Sequence, residues 1–431
     1  MLRQSIFALL CLALTSGMAL GAGKNKYELW AIDQSNPAGK TYGGTLYIWD
    51  GHDLETKAAD AEPERVDLAA AASDLCFART GVFPVRPHML AINSAQTHAI
   101  ISFVSTGHVL FMNADTRQPI DCIRTSAGAG GARQVHFAIP SPDQSYVAVA
   151  NQNGKLFERI NTDYSTNTFT LDTAAVIDLA GCTTPNGLPC QSDTLRPDNA
   201  PICPIIDSSS QFVFVTLRGG GLFVVDGKAS PMRIVAEYDK DTIHPNGCLG
   251  AETKGKMYID SGGGTPTNLF EADLYALPAR GYPSLAGPNT PSPRVIFSED
   301  VEDADTHGAA LTKHERHLWV ADRGRNFIFV VDTETDTLVN RIPLAGDVSA
   351  DPTPDLLALS PNGSHVFMSL RGPVPLTADP HVSTGSTPGV GVIKVLGSGR
   401  DGRFEGVAPA SNRDALGVER ADIHAMSIRV K

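Results

Sequence analysis

The chain has 431 residues, of which 42% are hydrophobic and 19% are charged, and its formal net charge is −12. That hydrophobic content excludes a disordered chain, because disordered chains lack the apolar residues that a core requires. The acidic balance argues against a nucleic-acid or anionic-membrane partner, since few cationic groups remain to neutralise phosphates.

The first 22 residues are typical of a secretory signal peptide. A cationic start at Arg3 precedes a short apolar run at Ile6–Leu14, and small residues continue to Ala22. This run is too short to cross a bilayer, and no later stretch reaches about 18 consecutive apolar residues. We therefore expect a signal peptide at residues 1–22 and a periplasmic or secreted protein at residues 23–431, without a membrane span.

The cysteine count agrees with export. The chain has 7 cysteines, and Cys11 lies inside the predicted signal peptide, which leaves an even number. Even numbers of cysteines in an oxidising compartment favour disulfides over metal ligands, and no CxxC pair is present. The loop between Cys182 and Cys190 is rich in Pro and Gly, so we predict that these two residues are bonded. The partners of the other cysteines stay open.

Short β-rich units recur along the whole chain. Each unit has an apolar strand, a polar turn, a second strand, a Gly or Asn turn and a third strand, as in His307–Asp332. The units begin near residues 88, 136, 203, 245, 307, 355 and 424. Repeats of this kind, about 40 to 50 residues long with four strands each, are typical of β-propellers.

The last unit needs both ends of the chain. Ile423–Val430 supplies its inner strand, while Tyr27–Ile32 and Thr45–Asp50 supply outer strands. Such an overlap of the termini closes a propeller and removes its free edges. The sequence therefore predicts an all-β fold: one seven-bladed β-propeller domain over residues 23–431, with blades of four antiparallel strands and one blade shared by the two termini.

The motifs resemble those of a known superfamily. The segment LALSPNGSHVF at Leu357–Phe367 and the strand ending in Val331–Thr333 are similar to YVTN-type propeller repeats. That superfamily includes periplasmic lactonases and the propeller domain of nitrous oxide reductase. The resemblance implies a propeller fold, and its motifs specify the fold rather than one activity.

Histidines are the candidate metal ligands. The chain has 12 histidines, and five lie at the starts of predicted inner strands: His88, His136, His244, His307 and His424. Inner strands line the central channel, so these imidazoles can converge and favour copper, zinc or iron over calcium. The copper site of nitrous-oxide-reductase-like propellers is similarly built from inner-strand histidines. The alternative is that these histidines only pack between blades.

The register of these histidines is uneven. When the units are aligned on their first polar turn, His136 and His307 share one position, together with Asp355. His88 then lies one residue earlier, so its side chain faces away from the channel unless a β-bulge intervenes. His244 lies two residues earlier.

Two further residues are candidates for catalysis. Asp355 is the best-placed carboxylate for the channel mouth, and Arg133 precedes His136 by three residues. A fixed guanidinium at the mouth would suit an anionic ligand. Asp305 falls on the same face of an extended chain as His307 and could orient it. For Arg371, which follows a second strand, we predict a structural bond to loop carbonyls.

Three functions remain open. The five histidines favour a periplasmic oxidoreductase with a copper-type metal, acting on a small-molecule substrate with an external electron acceptor. The second is a lactonase-like hydrolase that uses Arg133, His136 and Asp355 for polarisation and water activation. The third is a non-catalytic propeller that binds a ligand or a protein. The sequence has no phosphate-binding loop and no CxxCH motif, so we expect neither a nucleotide cofactor nor covalent haem.

Overall fold

Seven antiparallel sheets form the blades of a propeller. The computed structural model describes residues 26–262, 271–282, 289–374 and 384–431, so the predicted signal peptide at residues 1–22 lies outside the described residues. Six sheets have their four main strands consecutive in sequence, and the remaining sheet combines the two ends of the chain. The predicted seven-bladed propeller is confirmed.

The strands follow one another blade by blade. The first blade in sequence contains β1 (Tyr27–Asp33), β2 (Thr45–Asp50) and β3 (Glu64–Asp67). The second contains β4 (Pro87–Ile92), β5 (His98–Phe103), β6 (His108–Asn113) and β7 (Pro119–Arg124). The third contains β8 (Val135–Pro140), β9 (Tyr146–Asn151), β10 (Leu156–Asp163), β11 (Thr168–Leu171) and the short β12 (Ile177–Asp178).

The remaining blades repeat this order. The fourth contains β13 (Pro201–Ile206), β14 (Phe212–Leu217), β15 (Leu222–Asp226) and β16 (Arg233–Tyr238). The fifth contains β17 (Gly250–Thr253), β18 (Lys256–Gly262), β19 (Glu271–Pro278) and β20 (Arg294–Asp300). The sixth contains β21 (Thr306–Leu311), β22 (His317–Asp322), β23 (Phe327–Asp332) and β24 (Thr337–Pro343). The seventh contains β25 (Pro354–Leu359), β26 (His365–Leu370), β27 (Gly389–Leu396) and β28 (Asp401–Pro409), after which β29 (Ile423–Val430) returns to the first blade.

The two ends of the chain close the ring, as predicted. Strand β29 pairs antiparallel with β1, from Tyr27 opposite Val430 to Asp33 opposite Ile423. The shared sheet has the order β29-β1-β2-β3, so β29 is its inner strand. Main-chain hydrogen bonds thus join the two ends of the described chain within the first blade, and the segment from β28 to β29 connects that blade to the seventh.

Helices are few and short. They are α1 (Gly51–Lys57), α2 (Leu68–Ala71) and α3 (Ser73–Thr80). The side chains of Asp50 and Asp67 accept hydrogen bonds from the first backbone amides of α1 and α2, and so define where these helices begin. Four 3₁₀ turns complete the regular structure of the described residues: Ala58–Asp60, Ala129–Gly131, Lys313–Glu315 and Gly397–Gly399.

Hydrophobic residues between neighbouring blades form the core. Trp30, Trp49 and Trp319 are fully buried among these contacts. Burial of apolar area is the main stabilising contribution in such a fold. None of the described helices is long and apolar enough to cross a membrane.

Three disulfides connect the cysteines of the described chain. The predicted Cys182–Cys190 bond is present. Cys76–Cys122 joins α3 to the outer strand β7. Cys203–Cys248 joins the inner strand β13 to the segment just before β17, so it connects two neighbouring blades beside the channel.

Candidate functional site

A β-bulge at the start of six of the seven inner strands positions the site. In six blades the first residue that pairs with the neighbouring strand is followed by an irregularity in register. The residues directly after that first pair are His88, His136, Ile202, His307, Asp355 and His424. The extra residue of a bulge turns the local side chain relative to the regular pleat. The bulges in β4 and β8 have the same position, so His88 and His136 are equivalent. Alignment on the turns missed this equivalence because Asn93, rather than Ser94, is the turn residue that corresponds to Ser141.

Five of these side chains meet; we call His88, His136, His307, Asp355 and His424 the channel cluster. The imidazole rings of His88 and His424 stack with centroids 3.9 Å apart. Those of His88 and His136 lie edge to face at 4.5 Å, and those of His307 and His424 are 5.4 Å apart. Four of the five predicted histidines therefore converge from four different blades.

A neighbouring amide fixes the protonation of His88. Nδ1 of His88 lies 2.7 Å from Oε1 of Gln34, whose own amide nitrogen donates to Asp422. That amide oxygen only accepts, so Nδ1 of His88 carries the proton. Nδ1 of His136 lies 3.7 Å from Sγ of Cys203, and a disulfide sulfur has no proton to donate.

The Nε2 atoms of His88 and His136 face each other 3.2 Å apart. Because Nδ1 of His88 carries the proton, its Nε2 holds a lone pair that faces His136. Nε2 of His136 can donate a proton to that lone pair, or both nitrogens can bind one metal cation.

Asp355 connects the other two histidines. Its Oδ2 lies 2.5 Å from Nδ1 of His424, and its Oδ1 lies 3.3 Å from Nε2 of His307. Asp355 is fully buried and His424 is 1% exposed. Because the carboxylate accepts the Nδ1 proton of His424, the lone pair of His424 is on Nε2. That buried Nε2 atom has no hydrogen-bond partner among the described residues.

Two buried arginines hold the same carboxylate. Nη1 of Arg371 donates to Oδ2 of Asp355 at 2.8 Å, and Nη1 of Arg323 donates to Oδ1 at 3.2 Å. Each oxygen of Asp355 thus faces one guanidinium and one imidazole. Arg371 also donates to both oxygens of Asp422 at 2.7 and 3.0 Å, while Arg323 pairs with Asp305. Carboxylates and guanidiniums therefore alternate through the buried network.

The network sets the charge states of the cluster. Burial lowers the pKa of His88 and of His307 well below the usual value, and it also lowers that of His424. Burial opposes ionisation of Asp355, yet the facing imidazoles and the two arginines hold its pKa well below the usual range. These three histidines are thus neutral near pH 7, the state in which imidazole binds metals.

An apolar channel continues from the cluster. A cavity of about 330 Å³ is lined by residues that follow the cluster along the inner strands, among them Met89, Phe137, Leu356 and Met426. The polar cluster therefore borders an apolar space, an arrangement typical of small-molecule sites.

One predicted histidine lies outside the channel cluster, and Arg133 is bound by a loop carbonyl. Nδ1 of His244 is 2.9 Å from Asp273 and 3.2 Å from Glu271, so this histidine belongs to a separate acidic cluster. Hydrogen bonds from Asp273 and Glu271 raise the pKa of His244 to about 10. Arg133 donates from Nε to the carbonyl of Thr125 at 2.8 Å. This bond holds the Arg133 guanidinium at the loop after β7, so the pairing of Arg133 with Asp355 in one site remains a sequence prediction.

Arg323, Asp422 and Gln34 belong to the network but were not predicted from the sequence. A repeated Arg-Gly pair in the sequence could have indicated Arg323. The pair follows the second strand of three blades, at Arg218–Gly219, Arg323–Gly324 and Arg371–Gly372. The glycine allows close backbone approach, since a Cβ on Gly372 would lie 1.8 Å from the carbonyl oxygen of Ala421. The expectation that Arg371 bonds loop carbonyls is corrected, because a buried guanidinium requires the carboxylates that it contacts here.

Comparisons with known proteins point to the same architecture. No known protein family matches the chain by sequence profile, and no curated protein matches it by sequence. A periplasmic gluconolactonase from Pseudomonas aeruginosa is 13% identical, with a TM-score of 0.58 over 94% of this chain and 99% of that chain. A proposed 6-phosphogluconolactonase from Bacteroides fragilis is 10% identical, with a TM-score of 0.59 over 94% and 99%.

A third solved structure is similar over a smaller share of this chain. Hydrazine synthase from Kuenenia stuttgartiensis is 13% identical, with a TM-score of 0.51 over 72% of this chain and 76% of that chain. The shared feature is the fold. The predicted resemblance to lactonase-like propellers is therefore confirmed at the level of fold, and function has to be argued from the site.

Proposed function

We propose that the protein is an exported oxidoreductase with a histidine-bound, copper-type metal ion at the mouth of the propeller channel. The 3.2 Å separation between the Nε2 atoms of His88 and His136 carries this proposal. On a tetrahedral metal with bonds of about 2.0 Å, two ligand nitrogens lie about 3.3 Å apart. The two imidazoles therefore have the spacing that a shared metal ion requires.

We assign His424 as the third ligand. Its Nε2 atom is buried, carries the lone pair and lacks a hydrogen-bond partner in the described chain, and its ring stacks on that of His88. His307 is a further candidate, because its Nε2 is also without an aligned hydrogen bond among the described residues. A donor set of neutral imidazoles favours copper, zinc or iron over calcium and magnesium.

The residues around the histidines would position the ligands. Asp355 and Gln34 accept the Nδ1 protons of His424 and His88, and so keep each Nε2 lone pair directed at the site. Arg323 and Arg371 keep Asp355 ionised and fixed. A copper ion bound there would supply one-electron chemistry to a small substrate at the channel mouth. The apolar channel would limit the access of water from the opposite side.

The disulfides support export. Three disulfides in one chain suit the periplasm or the cell exterior, and the predicted signal peptide supports the same assignment. The described residues form only the propeller and its short helices, so we expect the electrons to pass to an external acceptor.

Metal analysis of the exported protein tests this proposal. We expect about one copper ion per chain after copper loading, with an electron paramagnetic resonance signal typical of nitrogen ligands. His88→Gln and His136→Gln should abolish both. His98→Gln is the matched control, because His98 is also buried but bonds to Thr97 and Asn167 outside the cluster. Copper binding that is unchanged in both cluster variants would refute the site.

Lactone hydrolysis is the second candidate, and two structural neighbours that are named as lactonases support it. In that case His136 would activate water beside the cluster. Asp355 is a poor base, since both its oxygens already face a guanidinium and an imidazole. Gluconolactone hydrolysis by metal-free protein, lost in His136→Gln but kept in His98→Gln, would replace the oxidoreductase proposal.

A further inference from the structure

The cluster around His244 has the composition of a second metal site. His244 lies in the segment before β17, and Glu271 and Asp273 lie at the start of β19. We call these three residues the His244 cluster. Residues two apart on a strand point to the same face, so both carboxylates are presented together. Their oxygens lie 3.2 and 2.9 Å from Nδ1 of His244.

The spacing of the donor atoms fits a small cation. One ligand atom from each of the three residues lies within 4.8 Å of the other two. Nitrogen and oxygen ligands bound at about 2.0 to 2.2 Å to one metal lie about 2.8 to 3.6 Å apart, from octahedral to tetrahedral angles. Both nitrogen–oxygen distances of the His244 cluster are in that range.

A separate observation points to a missing partner. Asp273 is fully buried, and its Oδ1 atom has no hydrogen-bond partner among the described residues. A buried carboxylate oxygen without a partner is unfavourable, and a cation bound to both oxygens would remove that cost. The side chain of His244 is 31% exposed, so an ion could enter from solvent on that side.

The charges also favour a divalent ion. A protonated imidazole between two carboxylates leaves a net charge of −1 at a largely buried place. A divalent ion with a neutral imidazole and the same two carboxylates makes a neutral group, which burial favours. We propose that His244, Glu271 and Asp273 bind a divalent ion of the zinc or manganese class, separately from the channel cluster.

The donor set distinguishes this site from the channel cluster. One imidazole with two carboxylates suits zinc or manganese, whereas the imidazoles of the channel cluster favour copper. The two sites are neighbours, because Glu271 forms a backbone bridge with Asp305, and Asp305 pairs with Arg323 of the buried network. An ion at the His244 cluster would therefore fix one end of the network that holds Asp355.

Zinc and manganese titration of the chelator-treated, full-length mature protein tests the proposal. We expect wild type to bind one manganese ion per chain, and His244→Gln and Asp273→Asn to weaken that binding at least tenfold. His136→Gln should leave it unchanged. His365→Gln is the matched control, because His365 also lies near two carboxylates, but at 3.9 and 3.8 Å. Circular dichroism and thermal melting of each variant show whether it is folded.

The outcomes separate the two sites. Manganese binding that is lost in His244→Gln and kept in His136→Gln supports the second site, whether or not copper binds elsewhere. Binding that is equal in wild type, His244→Gln and Asp273→Asn overturns it. Binding lost only in His136→Gln also overturns it, and assigns the ion to the channel cluster. If Asp273→Asn fails to fold, Glu271→Gln gives the same comparison at a side chain that is 13% exposed.

Discussion

Replacing Asp355 by asparagine perturbs the centre of the buried network with almost no change of volume. The wild-type carboxylate is fully buried and accepts hydrogen bonds from Arg371 at 2.8 Å and from Arg323 at 3.2 Å. The asparagine removes the negative charge and turns an NH₂ group towards one of these donors. Two guanidiniums then share a region that has lost one of its compensating charges.

The magnitude follows from the remaining partners. Breaking one partner of a buried ion pair costs about 3 to 5 kcal/mol, because an uncompensated charge stays in the interior. Each arginine keeps a second carboxylate, since Arg371 still pairs with Asp422 and Arg323 with Asp305. We therefore expect the lower end of the range, a loss of about 3 kcal/mol in the free energy of unfolding.

Urea unfolding at pH 7, with the disulfides intact, measures this loss through the fluorescence of the three buried tryptophans. Glu405→Gln is the control: its pair with Arg403 is exposed, so its loss costs at most about 1 kcal/mol. The stabilisation by Asp355 is present above its unfolded pKa of about 3.9 and is lost as pH falls through its lower folded value. An Asp355→Asn protein within about 1 kcal/mol of wild type at pH 7 would refute the network as a source of stability.

The other predictions concern the disulfides and His244. Replacing both Cys203 and Cys248 by alanine removes a disulfide with a sequence separation of 45 and should lower the free energy of unfolding by about 4 kcal/mol. Replacing both Cys182 and Cys190, which are separated by 8, should lower it by about 2.5 kcal/mol. Chemical denaturation of the two double variants checks the order, and an equal loss in both would contradict the loop-entropy argument. The raised pKa of His244 stabilises the fold below its unfolded value of about 6.5, and this contribution is lost as pH rises through about 10. In the presence of a chelator, His244→Gln should therefore be less stable than wild type by about 2 kcal/mol at pH 6, after allowance for the partial exposure of His244. Above about pH 10.5 the two proteins should be equally stable. A stability difference that does not change with pH would contradict the raised pKa of His244.

Much of the fold was predictable because it depends on local patterns. Each blade has apolar strands separated by polar or Gly-containing turns. Because these turns are short, each strand pairs with the next strand in the sequence. The apolar Ile423–Val430 segment had no unit of its own to complete, so closure of the ring with Tyr27–Asp33 was also predictable. The Cys182–Cys190 disulfide was also predictable from a local pattern, because its short loop keeps the two residues close.

The register of the site residues was harder to predict from the sequence. Counting from the polar turns placed His88 one residue away from His136, because the count for that blade began at Ser94. In the structure Asn93 takes the place of Ser141: the amide of each donates to the carbonyl five residues later, of His98 and of Tyr146. His244 shares a residue type and an approximate location with the channel histidines. The carboxylates of Glu271 and Asp273, which are distant in sequence, hold it outside the channel cluster.

The sequence by itself determined the blade count, the closure of the ring and the positions from which histidines can approach the channel. These features depend on strand periodicity and turn chemistry, which act over a few residues and can be recognised locally. Only the tertiary structure decided which atoms meet. Asp355 bonds to Arg323, Arg371 and His424, which come from three different blades, and no local pattern links them. Closing the ring brings these groups into one buried volume, where each charge must find a partner, and that requirement selects the contacts.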